Sequence, residues 1–402
     1  MLFGVLFGAY FLMLRKDAAP LSVLLIGAVV MRVAVWGNFP NLSDDMYRFV
    51  WDGRLWTQGE NPFLHLPAYY METDHGFSGL DSSLFALLNS PEYYSIYPPV
   101  CQWIFAVATF LFPTSLYGSA LVMKGFILLA EIGNIWLIRK MAAHFKLPAT
   151  TVLLYALNPL VIFELTGNAH FEAIMIFFLL GSIYALLKNN WLFSALLFAL
   201  SVCTKLLPLM FLPFLIKRLG WVASMRYFAV VGLLVMLFFT PFISVDLVTN
   251  FAQSVDLYFQ NFEFNASIYY VLRWIGIKIT GFNLIKFVGS GLSGITLLFI
   301  LYLAWREKNT DWTDWKNLPK KMLFAQTTYY GLATIVHPWY TTTLLALSSF
   351  TPYRYVAVWT ATVTLSYYTY RDTTYTENLW LVAIEYLVVG GWMIYEFRKL
   401  KR

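Results

Sequence analysis

Apolar runs recur along the whole length of this chain, at 21–35, 116–138, 151–163, 174–187, 221–241, 284–304 and 379–394. Several approach the roughly 20 residues that carry a helix across about 30 Å of hydrocarbon. Lipid offers no hydrogen-bond partner to an open backbone, so a chain with many such runs must fold as helices or as a closed barrel. The alternation of an outer-membrane barrel strand, roughly ten residues at a time, is not present. With 59% hydrophobic and only 12% charged residues, an ordinary soluble domain is excluded. The expectation is an all-α polytopic integral membrane protein with about 11–13 transmembrane helices, organised as one domain over 1–402.

The net charge of +6 is a topology signal and not a nucleic-acid one. Basic residues gather in short connections: Arg15-Lys16, Arg139-Lys140, Lys188, Lys217-Arg218, the stretch 306–321 and the C-terminal 398–402. These mark the cytoplasmic side. The segment 37–95 carries eight acids against two arginines and belongs to the opposite, outer face. Parity of the crossings then makes 97–112 a non-spanning helix, since Tyr97-Pro98-Pro99 cannot continue a helix from upstream. Residues 267–280 read the same way, as an outer-surface amphipathic helix. Between Lys188 and Lys217 the apolar stretch is too short for two spans. Two half-length helices meeting near Lys205 are expected, a break tolerated only beside a protein-lined or aqueous cavity. Cys101 and Cys203 lie in apolar surroundings and read as buried, inert thiols.

Charge is scarce here, so its positions are informative. Asp44 and Asp45 sit at the start of a helix opening near Ser43, where a capping cluster favoured by the helix dipole is one reading. A general base whose neighbour tunes it is the other. On that helix Asp45 and Asp52 share a face, and Asp44 and Arg48 stand at i,i+4 spacing. Lys205 interrupts an apolar run, and a buried ammonium of this kind suits an anionic group such as a phosphate. His170 and Glu172 fall on the same side as Asp45 by parity, where they position an acceptor hydroxyl or complete a Mg or Mn site with the aspartates. No tight ligand spacing supports the metal, and no cofactor is expected. His337, Asn265 and Arg273 also land outside; a histidine among aromatics there reads equally as an interface anchor. Tyr97 is either structural or part of the same wall. Glu131 and Glu385 inside spans read as helix-pairing residues.

These blocks resemble a known family. Asp44-Asp45-Met46-Tyr47 through Trp51-Asp52-Gly53-Arg54, then Gly59-Glu60-Asn61-Pro62-Phe63 and Tyr97-Pro98-Pro99, look like the first outer loop of the glycosyltransferase-C superfamily. The likeness is to bacterial polyprenol-phosphate-mannose-dependent mannosyltransferases and to the catalytic subunit of GPI mannosyltransferase I. Gly167-Asn168-Ala169-His170, Thr204-Lys205-Leu206-Leu207-Pro208, Phe264-Asn265-Ala266-Ser267 and His337-Pro338-Trp339-Tyr340 resemble later blocks in the same order. One departure is that the acids are adjacent here and Met46 separates them from Tyr47. The resemblance implies a polyprenyl-phosphate-linked sugar donor, a glycan or glycolipid acceptor, and a catalytic Asp in the long outer loop 37–95. By that likeness the base is Asp45, or else Asp44. It also implies a bacterial inner membrane with the site on the periplasmic face.

The expected function is therefore inverting transfer of a sugar, mannose by resemblance, with Lys205 on the donor phosphate, joined by Arg273 or His337. Arg48, Asp52, His170, Glu172, Asn265 and Tyr97 complete the expected binding wall. A transporter or lipid flippase shares the helices, the break and the buried lysine. It needs no acid-rich outer loop, and no inverted repeat is visible. A lipid-linked oligosaccharide ligase or polymerase is the enzymatic alternative.

Overall fold

The computed structural model describes residues 2–15, 19–72, 76–260, 262–306, 315–371 and 375–401. Lys16, Arg402 and the middle of the cationic stretch 306–321 lie outside the described residues. The α-helices of seven residues or more are α1 (Leu2–Met13), α2 (Leu21–Trp36), α3 (Asp45–Thr57), α4 (Pro99–Leu111), α5 (Leu116–His144), α6 (Glu172–Leu187), α7 (Trp191–Val202) and α8 (Pro213–Leu219). They continue as α9 (Trp221–Phe239), α10 (Leu247–Gln260), α11 (Ile268–Thr280), α12 (Ile285–Trp305), α13 (Leu318–Leu332), α14 (Thr341–Ser348), α15 (Tyr355–Thr362) and α16 (Leu379–Lys401). Among the described residues the only β-type pairing is an isolated parallel bridge between Phe264 and Ile335.

Among the described residues, four helices are long and apolar enough to cross a membrane: Leu116–His144, Trp221–Phe242, Ile285–Trp305 and Leu379–Lys401. The pair Ala149–Ala156 and Val161–Gly167, bent by 62°, makes a fifth if it is one span. Five further apolar helices of 10–17 residues, α1, α2, α4, α6 and α7, stand beside them. The long helices thus account for only part of the 11 to 13 crossings expected, because much of the apolar sequence is cut into short or bent pieces. The protein is a polytopic, all-α membrane protein.

Burial separates inner from outer helices. Of the apolar stretch in α5, 50% is buried inside the protein, against 17% in α9. Leu233, Met236 and Leu237 on α9, Phe287 and Leu298 on α12, and Trp380 and Leu387 on α16 are exposed apolar side chains, as lipid-facing surfaces require. Polar groups hold the inner helices together, since hydrophobicity alone gives no preference for helix over lipid. Arg32 of α2 is fully buried and pairs with Glu131 of α5 at 3.0 Å. Its Nη1 also donates to the carbonyl of Ala156 at 2.7 Å. Asn134 Nδ2 and the Tyr155 hydroxyl donate to Glu131 Oε1 at 3.0 and 2.5 Å. Glu131 is therefore a helix-pairing group, and so is Glu385, which accepts from Trp359 Nε1 at 2.9 Å and Asn265 Nδ2 at 3.3 Å.

Helix α3 lies tightly against α4. A methyl group at Gly53 would come within 2.6 Å of the Phe105 carbonyl oxygen, and backbone of that kind cannot swing aside. Gly53→Ala is expected to destabilise the protein by about 1–3 kcal/mol, read as a lowered thermal unfolding midpoint in detergent. An unchanged midpoint would show that the two helices do not meet this closely.

The expected break is present. α7 ends at Val202, Leu207–Phe211 forms a 3₁₀ turn, and α8 starts at Pro213. Its freed carbonyls are satisfied by the start of α4: Val100 N–H donates to Cys203 O at 2.9 Å, and Cys101 Sγ to Thr204 O at 3.3 Å. This is the use of Pro98-Pro99. Proline in the first turn supplies no N–H of its own and leaves the next donors to reach across. Both cysteines are buried free thiols. Lys205 is thereby fixed at the break.

Candidate active site

Five separate segments converge around Lys205. The first is the N-terminus of α3. Asp44 occupies the N-cap position with no side-chain cap bond, and the Ser43 hydroxyl accepts from Asp45 N–H at 3.2 Å. The expected serine cap is thus displaced by one residue, Ser43 reaching the helix from N′. Asp44 is exposed, whereas Asp45 is half-buried. Asn89 Nδ2 donates to Asp45 Oδ1 at 2.8 Å. Burial raises the Asp45 carboxyl above its ordinary value; hydrogen bonds from Asn89 and Ser43 pull it back, Glu172 raises it and Lys205 lowers it.

The second and third segments are the turn before α6 and the break after α7. Lys205 makes an ion pair with Glu172, the first residue of α6. Its Nζ also lies 4.2 Å from the centre of the Tyr340 ring, a cation–π contact that restricts the ammonium without neutralising it. Asn168 ties this turn to the approach to α3: its Oδ1 accepts from the N–H groups of Asn41 and Leu42 at 3.2 and 3.1 Å. Ala169 is fully buried at φ 63, a left-handed conformation that turns His170 back toward Glu164. His170 Nε2 lies 2.8 Å from Glu164 Oε2.

The remaining segments supply a stack of rings. His170 and Trp339 lie face to face at 3.8 Å, Trp339 and His337 at 4.4 Å, and His337 and Phe264 at 4.8 Å. The Phe264–Ile335 bridge, with Phe264 N–H to Thr334 O at 3.0 Å and Val336 N–H to Phe264 O at 2.8 Å, holds the last two strips of chain in register. Burial, and then the Lys205 charge, depress both imidazoles: His170 lies well below its usual value, and His337 falls to about 3. Both rings are neutral at physiological pH and serve as aromatic surface.

The structure gathers Asp45, Glu172, Lys205, His170 and His337 in one place, and puts the other expected residues to different uses. Arg48 pairs with Asp52 at 2.7 Å, not with Asp44. Asp52 is fully buried, accepting also from Gln102 Nε2 at 3.0 Å and from the Ser95 hydroxyl. These two residues clasp α3 to the 90–102 segment, because a charge pair this deep is stable only when every remaining lone pair is satisfied. Asp45 and Asp52 therefore do not act on a common surface. Arg273 pairs with Glu263 and covers the Tyr270 ring at 4.5 Å, forming a separate cluster with Glu377. Asn265 is fully buried at φ 48; its N–H donates to Glu377 at 2.6 Å and its carbonyl accepts from the Tyr386 hydroxyl at 2.6 Å. Tyr97 meets Phe49 edge-on at 4.9 Å, in the packing beneath the cleft.

Among the described residues no three His, Cys, Asp or Glu side chains gather as metal ligands. Glu172 pairs with Lys205, whereas His170 Nε2 and both Glu164 carboxyl oxygens are buried without a hydrogen-bond partner among the described residues. Trp339, Tyr340 and Asn168 fall within segments the sequence singles out, but only folding shows what they touch. Asn89 has no sequence signal, being 44 positions from Asp45 in a polar loop.

A family model described as alpha-(1->6)-mannopyranosyltransferase, N-terminal domain, matches residues 2–223. That range includes Asp45, Asn89, Glu172 and Lys205 and stops before the strips that carry Phe264, His337 and Trp339. No curated protein matches the chain.

Proposed function

The chain belongs to the alpha-(1->6)-mannopyranosyltransferase family, and on that premise we propose that it moves mannose from a polyprenyl-phosphate donor to the 6-hydroxyl of an acceptor mannoside, with Asp45 as base. A membrane mannosyltransferase of the glycosyltransferase-C type needs a sugar donor and a glycan acceptor; the donor's lipid and the catalytic roles are the reading advanced here. One observation carries it. An Asp carboxylate and a Lys ammonium from distant segments stand in one cluster, where the Lys205 charge favours the ionised form of Asp45, beside a stack of aromatic rings.

The chemistry follows from those groups. The acceptor oxygen attacks the anomeric carbon from the face opposite the phosphate, and its proton passes to the Asp45 carboxylate. The bond from the anomeric carbon to the phosphate oxygen breaks, and its electron pair stays on the phosphate. Configuration inverts, so an α-linked product requires a β-linked donor. The donor phosphate begins with one negative charge and leaves with a second developing. Lys205, held in place by Glu172 and Tyr340, stabilises that charge, and no general acid is required. The reading puts the site on the periplasmic face, since lipid-phosphate sugars are used where sugar nucleotides are absent.

The test is reconstitution with synthetic polyprenyl-phosphate β-mannose and an alkyl α-mannoside. The expected product is an α-(1→6)-dimannoside, identified by NMR of the new anomeric carbon, and GDP-mannose should give none. Turnover with GDP-mannose alone would sink the lipid-donor assignment, and retention of the β configuration would sink the single-displacement mechanism.

A further inference from the structure

We propose that Asn89 is a positioning residue for the transfer reaction, holding Asp45 through its Oδ1 so that Oδ2 takes the acceptor proton. The inference rests on the reading of Asp45 as the base. Asn89 Nδ2 donates to Asp45 Oδ1 at 2.8 Å, while the Ser90 hydroxyl donates to Asn89 Oδ1 at 2.9 Å. With its oxygen engaged by a donor, the amide can present only its NH₂ side to the carboxylate.

The buried clasp explains how an exposed loop residue keeps this position. Arg48 stands one turn after Asp45 on α3, and its Nη1 donates to the carbonyls of Ser90 and Tyr93 at 3.2 and 2.8 Å. The neighbouring Leu88 is buried, so the chain is pinned on both sides of Asn89. One helix therefore carries the base and, one turn later, the guanidinium that returns Asn89 to it. The Arg48–Asp52 pair acts on the site through this loop and not by touching substrate.

Asp45 is faced by Ser43 on its own segment, Glu164 and Glu172 from the turn before α6, Lys205 from the break, and Tyr340 and Tyr370 from the C-terminal third. Among these, Asn89 is the uncharged donor seen bonded to the carboxylate from another segment. A donor of this kind favours the ionised form. Its loss should make the carboxylate protonate at higher pH and leave the group free to rotate.

The experiment compares pH profiles of kcat/KM for the full-length parent, Asn89→Ala, Asn89→Asp and Asp45→Asn, using polyprenyl-phosphate β-mannose and an alkyl α-mannoside. For Asn89→Ala the acid limb should move up by about 0.5–1 pH unit, with the plateau down about 3–10-fold. Asn89→Asp keeps the size of the side chain and sets a like charge beside the base, so its limb should move up further. This variant carries the readout if the alanine loosens the loop. An unmoved midpoint in Asn89→Asp overturns the inference, whatever happens to the rate, because a merely structural loop residue would lower the plateau alone. Full turnover in Asp45→Asn would instead overturn the assignment of the base. An inactive Asp45→Asn beside parent-like Asn89 variants overturns only the role of Asn89.

Discussion

Asp45→Asn is expected to lower kcat by about 10²–10⁴-fold with little change in stability, whereas Asp44→Asn keeps turnover close to that of the parent. The two acids are adjacent in sequence but not equivalent in space. Asp44 sits at the N-cap of α3 and is exposed, while Asp45 takes the Asn89 hydrogen bond and feels both Glu172 and Lys205. An isosteric amide keeps the hydrogen-bonding shape and removes only the basic lone pair, so the loss should fall on kcat and leave KM near its parent value. The carboxylate must be ionised to accept the proton. Its burial-raised affinity for protons means that kcat/KM should climb with pH through a midpoint above the ordinary aspartate value of 3.8. Equal losses in the Asp44 and Asp45 variants would remove the distinction, and full activity in Asp45→Asn would remove the base.

Lys205→Ala is expected to cost about 10²–10³-fold in kcat, the scale found when one stabilising donor is taken from a developing oxyanion. Part of the loss has a second origin, which can be separated. Glu172 is largely buried, and without Lys205 its carboxylate is left with no cation, an expensive state for a buried charge. The double variant Lys205→Ala, Glu172→Ala removes both members. If Lys205 stabilises the leaving phosphate, the double variant recovers the stability lost by the single one but not its rate. Recovery of both would mean that the pair only holds α6 against the break. Lys205→Arg should remain impaired, because a longer, planar guanidinium that stacks on Tyr340 does not set a compact point charge at the position of the leaving phosphate.

Several parts of this site follow from local rules. Lys205 could be placed at a break because the flanking apolar stretch is too short for two spans and contains Pro208; α7 does stop at Val202. The segment 264–265 and the residues from His337 to Tyr340 stand out as polar and aromatic groups between apolar runs, and three of them, Phe264, His337 and Trp339, do belong to one stack. Spacing misled in other places. The i,i+4 rule allows Asp44–Arg48 and Arg48–Asp52 equally, and burial selects the second, because Gln102 and Ser95 arrive from another segment to complete the shell around Asp52. Arg273 and Asn265 look like binding groups until Glu263 and Glu377 occupy them.

The sequence by itself determined that the chain is a helical membrane protein, where its charge could be tolerated, and that a lysine would stand at an interrupted helix. Those outcomes depend on hydrophobic length, backbone hydrogen bonding and proline geometry, all of which act over a few turns of chain. Only the tertiary structure set an exposed Asp44 apart from a half-buried Asp45, joined Asn89 to Asp45 and aligned His170, Trp339, His337 and Phe264. Such contacts link segments tens to hundreds of residues apart. They depend on which side chains are left to satisfy one another once water and lipid are excluded, and no local pattern encodes that choice.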